Sequence, residues 1–327
     1  MNGAAQGAAI DARGVVVRYP DTDRNAVDDV TLGVAPGEFV VLLGPSGCGK
    51  STFMRTINRL VIPASGTIAV DGRDVRERTP EELRRGIGYV IQAVGLFPHL
   101  TIGKNIAVVP ELLGWEKPRI AARVDELLAL IRLDPQRYRD RLPRELSGGE
   151  QQRVGVARAL AAEPRVLLMD EPFGAVDAIV RLALQDETLR IHRALGTTIL
   201  FVTHDVDEAL RIADRIVVMR DGKIEQSDPP LKILAKPATP YVEELLDTKD
   251  AVRRLQLLRA RDAMQGAGND APAGSAGDAT IEGEATLRDA LSRLLEGATC
   301  LTVLDGDKPA GTLAFDDVRA AIAASER

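Results

Sequence analysis

A glycine-rich segment in the first part of the chain constrains the fold more than any other feature. Residues 44–52 read GPSGCGKST, which fits the pattern GxxxxGK followed by serine or threonine. The segment follows the apolar run Phe39–Leu43 and precedes a helix-like stretch from Lys50 to Leu60. In this strand–loop–helix context, glycines let the backbone turn until several N–H groups converge on an anion at the positive end of a helix dipole. The sequence therefore predicts a phosphate-binding loop rather than an ordinary glycine-rich turn.

The residue types in this loop indicate how a nucleotide would be held. Lys50 can reach the β- and γ-phosphates, and the Ser51 hydroxyl can hold Mg²⁺. Cys48 stands at the start of a helix, where a thiolate could be favoured, but a small variable residue is the simpler interpretation and the one we prefer. The predicted loop residues are Gly44, Pro45, Ser46, Gly47, Cys48, Gly49, Lys50, Ser51 and Thr52.

A second motif follows later in the chain. Residues 146–153 read LSGGEQQR, in which Ser147 and Glu150 have the spacing of a helix capping box. Alone, this motif would indicate only an ordinary helix start. Together with the phosphate-binding loop, it resembles the signature of ABC-type ATPases. The resemblance implies that Ser147, Gly148 and Gly149 face the γ-phosphate bound by a second copy, so that ATP and Mg²⁺ are sandwiched between two copies.

Two adjacent carboxylates follow an apolar run. Val166–Met169 is short and continuously apolar, which is typical of a parallel strand covered on both faces, and Asp170 and Glu171 come next. Such a pair could be a solvated strand end, but its position after the LSGGE motif favours function. The resemblance implies that Asp170 lies near Mg²⁺ and that Glu171 orients and polarises the attacking water.

Gln92 and His204 also follow apolar segments. Gln92 resembles the glutamine that contacts Mg²⁺ and reports the nucleotide state to a membrane partner, although an isolated glutamine means little. His204 resembles the switch histidine that bonds the γ-phosphate. A lone histidine is more often structural, but the strand context favours the switch. By resemblance, the Mg²⁺ ligands are Ser51, Gln92 and Asp170, and the catalytic residues are Glu171 and His204.

Asp177 and Tyr19 extend the resemblance. Asp177 resembles the D-loop aspartate, although Val176 stands where the family more often has leucine. Tyr19 stands where the family stacks an aromatic ring on adenine. A tyrosine at a strand edge is the alternative, since stacking needs only a π-face.

Composition and charge restrict the partners of the chain. No apolar run approaches the length that spans a bilayer, and no signal-peptide pattern is visible, so a membrane role would be peripheral. Two cysteines make no disulfide framework and fit a reducing cytosol. From Tyr241 onward there are 10 basic and 16 acidic residues, which leaves 32 of each before it. Equal numbers of basic and acidic residues argue against a nucleic-acid-binding surface, which would need a stripe of basic residues.

The fold expected from these features is an α/β P-loop NTPase of ABC type, with a mixed sheet core, an antiparallel amino-terminal sheet and a helical subdomain. Residues 1–12 are expected to be a disordered leader, and 13–240 the ATPase domain. Residues 93–158 are mostly helical in pattern, and hairpin turns are expected at Ala69–Gly72 and Met219–Gly222.

The segment after residue 240 differs in character. Residues 241–278 are expected to form a helical linker and a flexible loop. Residues 279–327 have a strand, helix, strand, strand, helix pattern that resembles one CBS motif, which could begin near residue 259. Such motifs usually work in pairs. The single motif either pairs with its copy in a second subunit or is a remnant that only packs.

The resemblance implies the ATPase of a quaternary-amine osmoprotectant importer, for glycine betaine, choline or proline betaine. The implied partners are a second copy, two membrane permease subunits and, indirectly, an extracytoplasmic solute-binding protein, with the chain peripheral at the cytoplasmic face of the inner membrane. Alternatives are an importer of another small solute, such as an amino acid, and a soluble ABC ATPase that acts on nucleic acid or ribosomes. A regulatory module without turnover is opposed by Glu171 and His204.

Overall fold

The computed structural model of the chain separates into two compact units, Met1–Ser227 and Asp228–Arg327. It describes residues 7–20, 22–91, 95–174, 176, 178–248, 251–266, 279–306 and 308–324. Gln92, Asp177 and residues 267–278 of the predicted flexible loop, which was expected to begin at Gly266, lie outside the described residues.

The elements of the first unit alternate between strands and helices. The strands are β1 (Ile10–Arg18), β2 (Asn25–Val34), β3 (Phe39–Leu43), β4 (Ser65–Val70), β5 (Arg73–Asp74), β6 (Ile87–Val90), β7 (Val166–Asp170), β8 (Thr198–Thr203), β9 (Arg215–Arg220) and β10 (Lys223–Asp228). The helices are α1 (Lys50–Ile57), α2 (Pro80–Arg85), α3 (Ile102–Leu112), α4 (Lys117–Leu130), α5 (Pro135–Tyr138), α6 (Gly148–Leu160), α7 (Ala178–Leu195) and α8 (Val206–Ile212).

One sheet of the first unit is antiparallel, with the strand order β2-β1-β4-β5. The β4–β5 turn places Asp71 and Gly72 at φ values of 57° and 72°, and the β9–β10 turn places Asp221 and Gly222 at 45° and 81°. Positive φ at both central residues is the requirement of a type I′ hairpin, which Asp-Gly satisfies. Both predicted hairpin turns are therefore confirmed.

The predicted disordered leader is wrong over its last residues. Strand β1 begins at Ile10, and Ala8, Ile10 and Ala12 are buried. Alternate side chains of a strand share one face, so Ile10 and Ala12 point into the core, and Ala8 is buried just before the strand. The alanine- and glycine-rich composition masked this alternation. Residues 1–6 lie outside the described part of the chain.

The second sheet has the order β10-β9-β3-β8-β7-β6, and its strands β9, β3, β8, β7 and β6 are parallel. Every residue of β3, β7 and β8 is buried. Burial on both faces explains why these strands are continuous apolar runs, as the sequence predicted. Because parallel strands end at one edge, the residues that follow β3, β7 and β8 meet there, which is where ligands bind in open α/β sheets.

Helices α3 to α6 form the region predicted to be helical. The side chain of Asn105 is fully buried and fixes the loop before α3. Its amide N–H groups donate to the carbonyl oxygens of Phe97 at 3.1 Å and Leu100 at 3.0 Å, and its oxygen accepts from the Phe97 N–H at 2.8 Å. Phe97, at the surface, is 43% exposed.

The second unit contains a sheet and several helices. Its described elements are α9 (Pro230–Ala235), α10 (Pro240–Leu246), α11 (Ala251–Leu257), α12 (Ala260–Ala263), β11 (Gln265–Gly266), β12 (Thr280–Glu282), α13 (Leu287–Leu295), β13 (Cys300–Asp305), β14 (Lys308–Ala314) and α14 (Phe315–Ala324). The strand order is β11-β14-β13-β12, with β12 parallel to β13 and the other pairs antiparallel. Helix α13 packs on β13, and α14 packs on β14. The predicted order of strand, helix, strand, strand, helix is confirmed, while the CBS resemblance stays a prediction.

The second unit begins at Asp228, whereas the predicted ATPase domain extended to residue 240. Helix α9 packs against α11, so its contacts group it with the carboxyl-terminal helices. Within the described ranges, every helix is too short or too polar to cross a bilayer.

Removal of the Leu301 side chain should destabilise the sheet of the second unit. Leu301 is 0% exposed on β13, and a buried Leu→Ala change typically costs about 2–5 kcal/mol. We expect Leu301→Ala to lower the free energy of opening of β13 and β14 by that amount in native-state hydrogen exchange of the full chain. The matched control is Leu295→Ala, because Leu295 is 72% exposed, and it should change the value by no more than about 0.5 kcal/mol. Equal effects would contradict the core assignment.

Candidate functional site

The predicted phosphate loop connects β3 to α1 at the carboxyl edge of the parallel sheet. Gly44 has φ 155° and Gly49 has φ 106°. A Cβ atom at Gly44 would stand 2.2 Å from the Met219 carbonyl oxygen, and one at Gly49 would stand 2.2 Å from the Ala26 carbonyl oxygen. Only glycine therefore fits these two positions, and the loop is held closely against β9 and β2.

Lys50 places its charge inside this loop. The residue is 4% exposed, and its ammonium group donates to the carbonyl oxygens of Gly44 at 2.7 Å and Pro45 at 2.9 Å. A buried cation needs such partners. The positive charge is thus concentrated where the loop N–H groups and the start of α1 would meet a phosphate.

Cys48 lies 3.8 Å from the Lys50 ammonium, measured from its sulfur. Burial nevertheless raises the pKa of the Cys48 thiol, and the neighbouring ammonium offsets this only in part. The thiol is therefore protonated at neutral pH. This supports the interpretation of Cys48 as a small residue of the loop rather than a reactive thiolate.

Ser51 and Asp170 are brought together, as predicted. The Ser51 hydroxyl donates to Oδ1 of Asp170 at 2.6 Å, and the carboxylate is almost fully buried at the end of β7. The second carboxylate oxygen, Oδ2, accepts from the Arg55 guanidinium at 3.1 Å. The side chain of Tyr89, on β6, interacts with both Arg55 and Asp170.

Glu171 and His204 meet at the same sheet edge. Oε2 of Glu171 lies 3.3 Å from Nδ1 of His204. Glu171 has a φ of 44°, unusual for a residue with a side chain, and its N–H donates to the Val202 carbonyl oxygen at 3.0 Å. Asp205 then caps α8, and its N–H donates to the Thr203 hydroxyl at 3.0 Å. The left-handed turn after β7 thus directs the Glu171 carboxylate towards the segment that follows β8.

Tyr19 lies beside the start of α1. Its hydroxyl is 3.4 Å from the Thr52 hydroxyl, and the residue is 41% exposed. The structure therefore places this ring next to the phosphate loop with much of its surface open, as adenine stacking would require.

Ser147 caps α6 with the capping box that the sequence predicted. Glu150 accepts from the Ser147 N–H at 2.8 Å and from its hydroxyl at 2.9 Å. The Tyr138 hydroxyl donates to Glu150 at 2.7 Å, and this hydrogen bond lowers the pKa of the Glu150 carboxyl. Gly148 has open space around it. Within the described part of the chain, no hydrogen bond joins Ser147 to the phosphate loop of the same copy.

The donor set fits a Mg²⁺ ion that arrives with a nucleotide. Ser51 and Asp170 offer adjacent hard oxygen atoms, the ligand type that Mg²⁺ prefers. Among the described residues, no group of three or more histidine, cysteine, aspartate or glutamate side chains could hold a metal ion by itself. Mg²⁺ is usually bound by one or two protein side chains together with substrate phosphates and water, which agrees with this small set.

Two contacts of the site were not anticipated. Sequence analysis did not single out Arg55 or Tyr89, although both interact with the Asp170 side chain. The available signal was the four-residue spacing of Ser51 and Arg55, which places both on one face of α1. Tyr89 gave no comparable signal, because its partners come from distant parts of the sequence.

Comparisons with known proteins agree with this geometry. The family described as "ABC transporter" matches residues 27–174. The glycine betaine/carnitine/choline transport ATP-binding protein of Bacillus subtilis is 54% identical over 223 residues, which cover 68% of this chain and 58% of that protein. The glycine betaine uptake system ATP-binding protein of Escherichia coli is 48% identical over 298 residues, which cover 90% of this chain and 94% of that protein.

Two further comparisons concern length and fold. The osmoprotectant import ATP-binding protein of Salmonella typhimurium is 51% identical, over 72% of this chain and 62% of that protein. The match to the Bacillus and Salmonella relatives thus spans less than two thirds of their length. A dimeric ATP-binding cassette in a post-hydrolysis state, bound to ADP and Pi, has a TM-score of 0.61 at 32% identity, over 68% of this chain and 98% of that chain.

The reactivity of Cys48 provides a test of the loop geometry. We expect its alkylation by iodoacetamide at pH 7 to be at least about tenfold slower than that of free cysteine, because the thiol is buried and its pKa is raised. Mass spectrometry of a Cys300→Ser variant would follow Cys48 alone, and unfolding in guanidinium should restore the ordinary rate. Alkylation of the folded protein faster than that of free cysteine would contradict this description.

Proposed function

We infer the function of this chain from its family, because it belongs to the ABC transporter family. We propose that it is the ATP-hydrolysing subunit that energises import of quaternary-amine osmoprotectants through separate membrane permease subunits. The observation that carries the ATPase proposal is the convergence of Ser51 with Asp170, and of Glu171 with His204, at the carboxyl edge of one parallel sheet. The solute class rests on the names of the relatives.

ATP binding is assigned to the loop and its flanks. The backbone N–H groups of residues 44–52 and the Lys50 ammonium would hold the phosphates, and Tyr19 would stack on the adenine. Mg²⁺, when bound, would neutralise phosphate charge. Ser51 and Asp170 would hold it, and we retain Gln92 as a third ligand on the strength of the family resemblance alone.

Hydrolysis is assigned to Glu171 and His204. In this proposal, the Glu171 carboxylate accepts a proton from water as the water oxygen attacks the γ-phosphorus, and the bond from that phosphorus to the ADP oxygen breaks. His204 contacts the γ-phosphate and, from its position 3.3 Å from Glu171, helps to orient the carboxylate. Asp170 stays anchored to Ser51 and Arg55, so Glu171 is the carboxylate that we assign to the attacking water.

A complete site is proposed to need two copies. The Ser147 hydroxyl and the N–H groups of Gly148 and Gly149 stand at the start of α6 and would bind the γ-phosphate held by the other copy. Asp177 would act at the same interface, as the family resemblance implies. The dimeric cassette with 32% identity supports this arrangement.

The transported solute and the membrane partners are also proposals. Two permease subunits would receive the chain at the cytoplasmic face of the inner membrane, with the exposed Phe97 and the neighbouring Pro98 and His99 close to the contact. An extracytoplasmic solute-binding protein would act indirectly, and no nucleic acid is involved. The relatives in Bacillus, Escherichia and Salmonella are named for glycine betaine, choline, carnitine or osmoprotectant transport, which favours quaternary amines over amino acids.

The role of Glu171 can be tested by Glu171→Gln, which removes the base and keeps the shape. General base catalysis contributes about 10²–10⁴-fold, so ATP turnover should fall by that factor while ATP binding is retained. Because ATP stays uncleaved, a closed dimer should accumulate in sedimentation experiments with Mg-ATP. The matched control is Glu81→Gln at an exposed position of α2, which should leave turnover unchanged. Near-normal hydrolysis by Glu171→Gln would remove Glu171 from this role.

The two-copy site can be tested by mixing variants. Lys50→Ala and Ser147→Arg should each be inactive alone. A mixed dimer rebuilds one intact site, from Lys50 of one copy and Ser147 of the other, so an equal mixture should regain up to about a quarter of the unmodified ATPase rate. A mixture of Lys50→Ala with the double variant has no intact site and should stay inactive. Absence of any recovery in mixtures shown to contain mixed dimers would contradict the proposal.

A further inference from the structure

The Asp170 carboxylate is held from both of its oxygen atoms. Its side chain is 4% exposed, so the charge is almost wholly removed from water. Oδ1 accepts from the Ser51 hydroxyl at 2.6 Å, and Oδ2 accepts from the Arg55 guanidinium at 3.1 Å. Burying a carboxylate without such donors would cost free energy. Loss of one donor would leave its oxygen without a partner and would allow the carboxylate to rotate about the bond to the side chain.

The two donors come from one rigid element. Ser51 and Arg55 are separated by four residues within α1, so their side chains lie on the same face, one turn apart. Because Ser51 belongs to the phosphate loop motif, its position is fixed by the loop. Arg55 binds the second oxygen and thereby fixes the rotation of the carboxylate.

Tyr89 supports this arrangement from a second element. It lies on β6, which is parallel to β7, and is paired in register with Leu168. Its side chain interacts with both Arg55 and Asp170, while its ring packs against the core of the first unit. Arg55, whose side chain is 45% exposed, gains a fixed partner that does not depend on α1.

We propose that Arg55 and Tyr89 are positioning residues that lock the orientation of the Asp170 carboxylate, so that Oδ1 faces the Ser51 hydroxyl and the pair is preorganised for the Mg²⁺ of Mg-ATP. This inference rests on the proposed ATPase function and deepens it. Neither residue touches the reacting atoms. Their effect is on the affinity of the Ser51–Asp170 pair for the ion, in the manner of outer-sphere partners of metal ligands, whose loss typically costs about 10- to 100-fold in metal affinity or activity.

A merely structural role makes a different prediction. If Arg55 and Tyr89 only tied α1 to β6 and β7, their loss would lower the melting temperature and leave the Mg²⁺ requirement unchanged. The positioning role acts on the Mg²⁺ requirement. It spares nucleotide binding without the ion, since the hydrogen bonds of the Lys50 ammonium within the described residues go to the loop and not to Arg55 or Tyr89.

The test uses the full-length chain with Arg55→Gln, which keeps most of the side-chain length, and Tyr89→Phe, which removes one hydroxyl. The Mg²⁺ concentration for half-maximal ATPase activity is measured at fixed ATP. Binding of a fluorescent ATP analogue is measured in parallel, with Mg²⁺ and in EDTA. We expect each variant to raise the Mg²⁺ concentration for half-maximal activity about tenfold. Binding of the ATP analogue should be weaker in the presence of Mg²⁺ and unchanged in EDTA. Arg55→Lys, which keeps the charge, should recover part of the loss.

Two controls and one combination sharpen the outcome. Arg76→Gln removes an arginine that pairs with Asp74 at 2.7 Å on the surface, and Tyr241→Phe removes a hydroxyl from the second unit, so neither should change the Mg²⁺ requirement. The double variant Arg55→Gln with Tyr89→Phe should show less than the product of the two single effects, because both act on one carboxylate.

Suppose that the unmodified chain hydrolyses Mg-ATP. If Arg55→Gln and Tyr89→Phe then both have an unchanged Mg²⁺ requirement, this inference is overturned and the ATPase proposal stays intact. Failure of the unmodified chain to bind or hydrolyse Mg-ATP would instead overturn the proposed function on which the inference rests.

Discussion

The hydrogen bond from the Ser51 hydroxyl to the Asp170 carboxylate joins the phosphate loop to the end of a strand that is not its neighbour in the sheet. Strand β8 lies between them, and its register pairs Leu43 with Thr203 and Val202 with Asp170. The ends of β3, β8 and β7 are therefore level. Complete burial of these strands enforces this alignment, because a shift of one strand would move apolar side chains out of their packing on both faces. The chemistry proposed for the site depends on that packed sheet.

The two adjacent carboxylates at the end of β7 have different environments, which suits them to the different roles proposed for them. Asp170 is buried and held by Ser51 and Arg55, so it is suited to a fixed position beside an ion. Glu171 enters the left-handed region at φ 44°, and its side chain turns away towards His204. The end of β7 thus presents two carboxylates in succession. Asp170 is anchored, and Glu171 faces the segment that follows β8.

Sequence reasoning reached most of the fold because its signals are local. The GPSGCGKST segment, the buried apolar strands and the Asp-Gly turns are each dictated by backbone geometry within a few residues. The strand at Ile10 was missed because alanine and glycine carry little apolar contrast. The interaction of Tyr89 with Asp170 could not be predicted, since it depends on the pairing of β6 with β7, whose residues are remote in sequence. The role of Ser147 remains a prediction, because it concerns a second copy of the chain.

The measurement that tests the central claim most directly is the ATPase rate of the purified full chain and of Asp170→Asn over a range of Mg²⁺ concentrations. Asparagine keeps the shape of the side chain and removes the charge that would hold the ion. Hydrolysis by the unmodified chain should disappear in EDTA. Asp170→Asn should be slower by about 100-fold or more at every Mg²⁺ concentration at which the unmodified chain is active. An Asp170→Asn variant with the rate and the Mg²⁺ dependence of the unmodified chain would contradict a role for the Ser51–Asp170 pair in holding Mg²⁺ for the reaction.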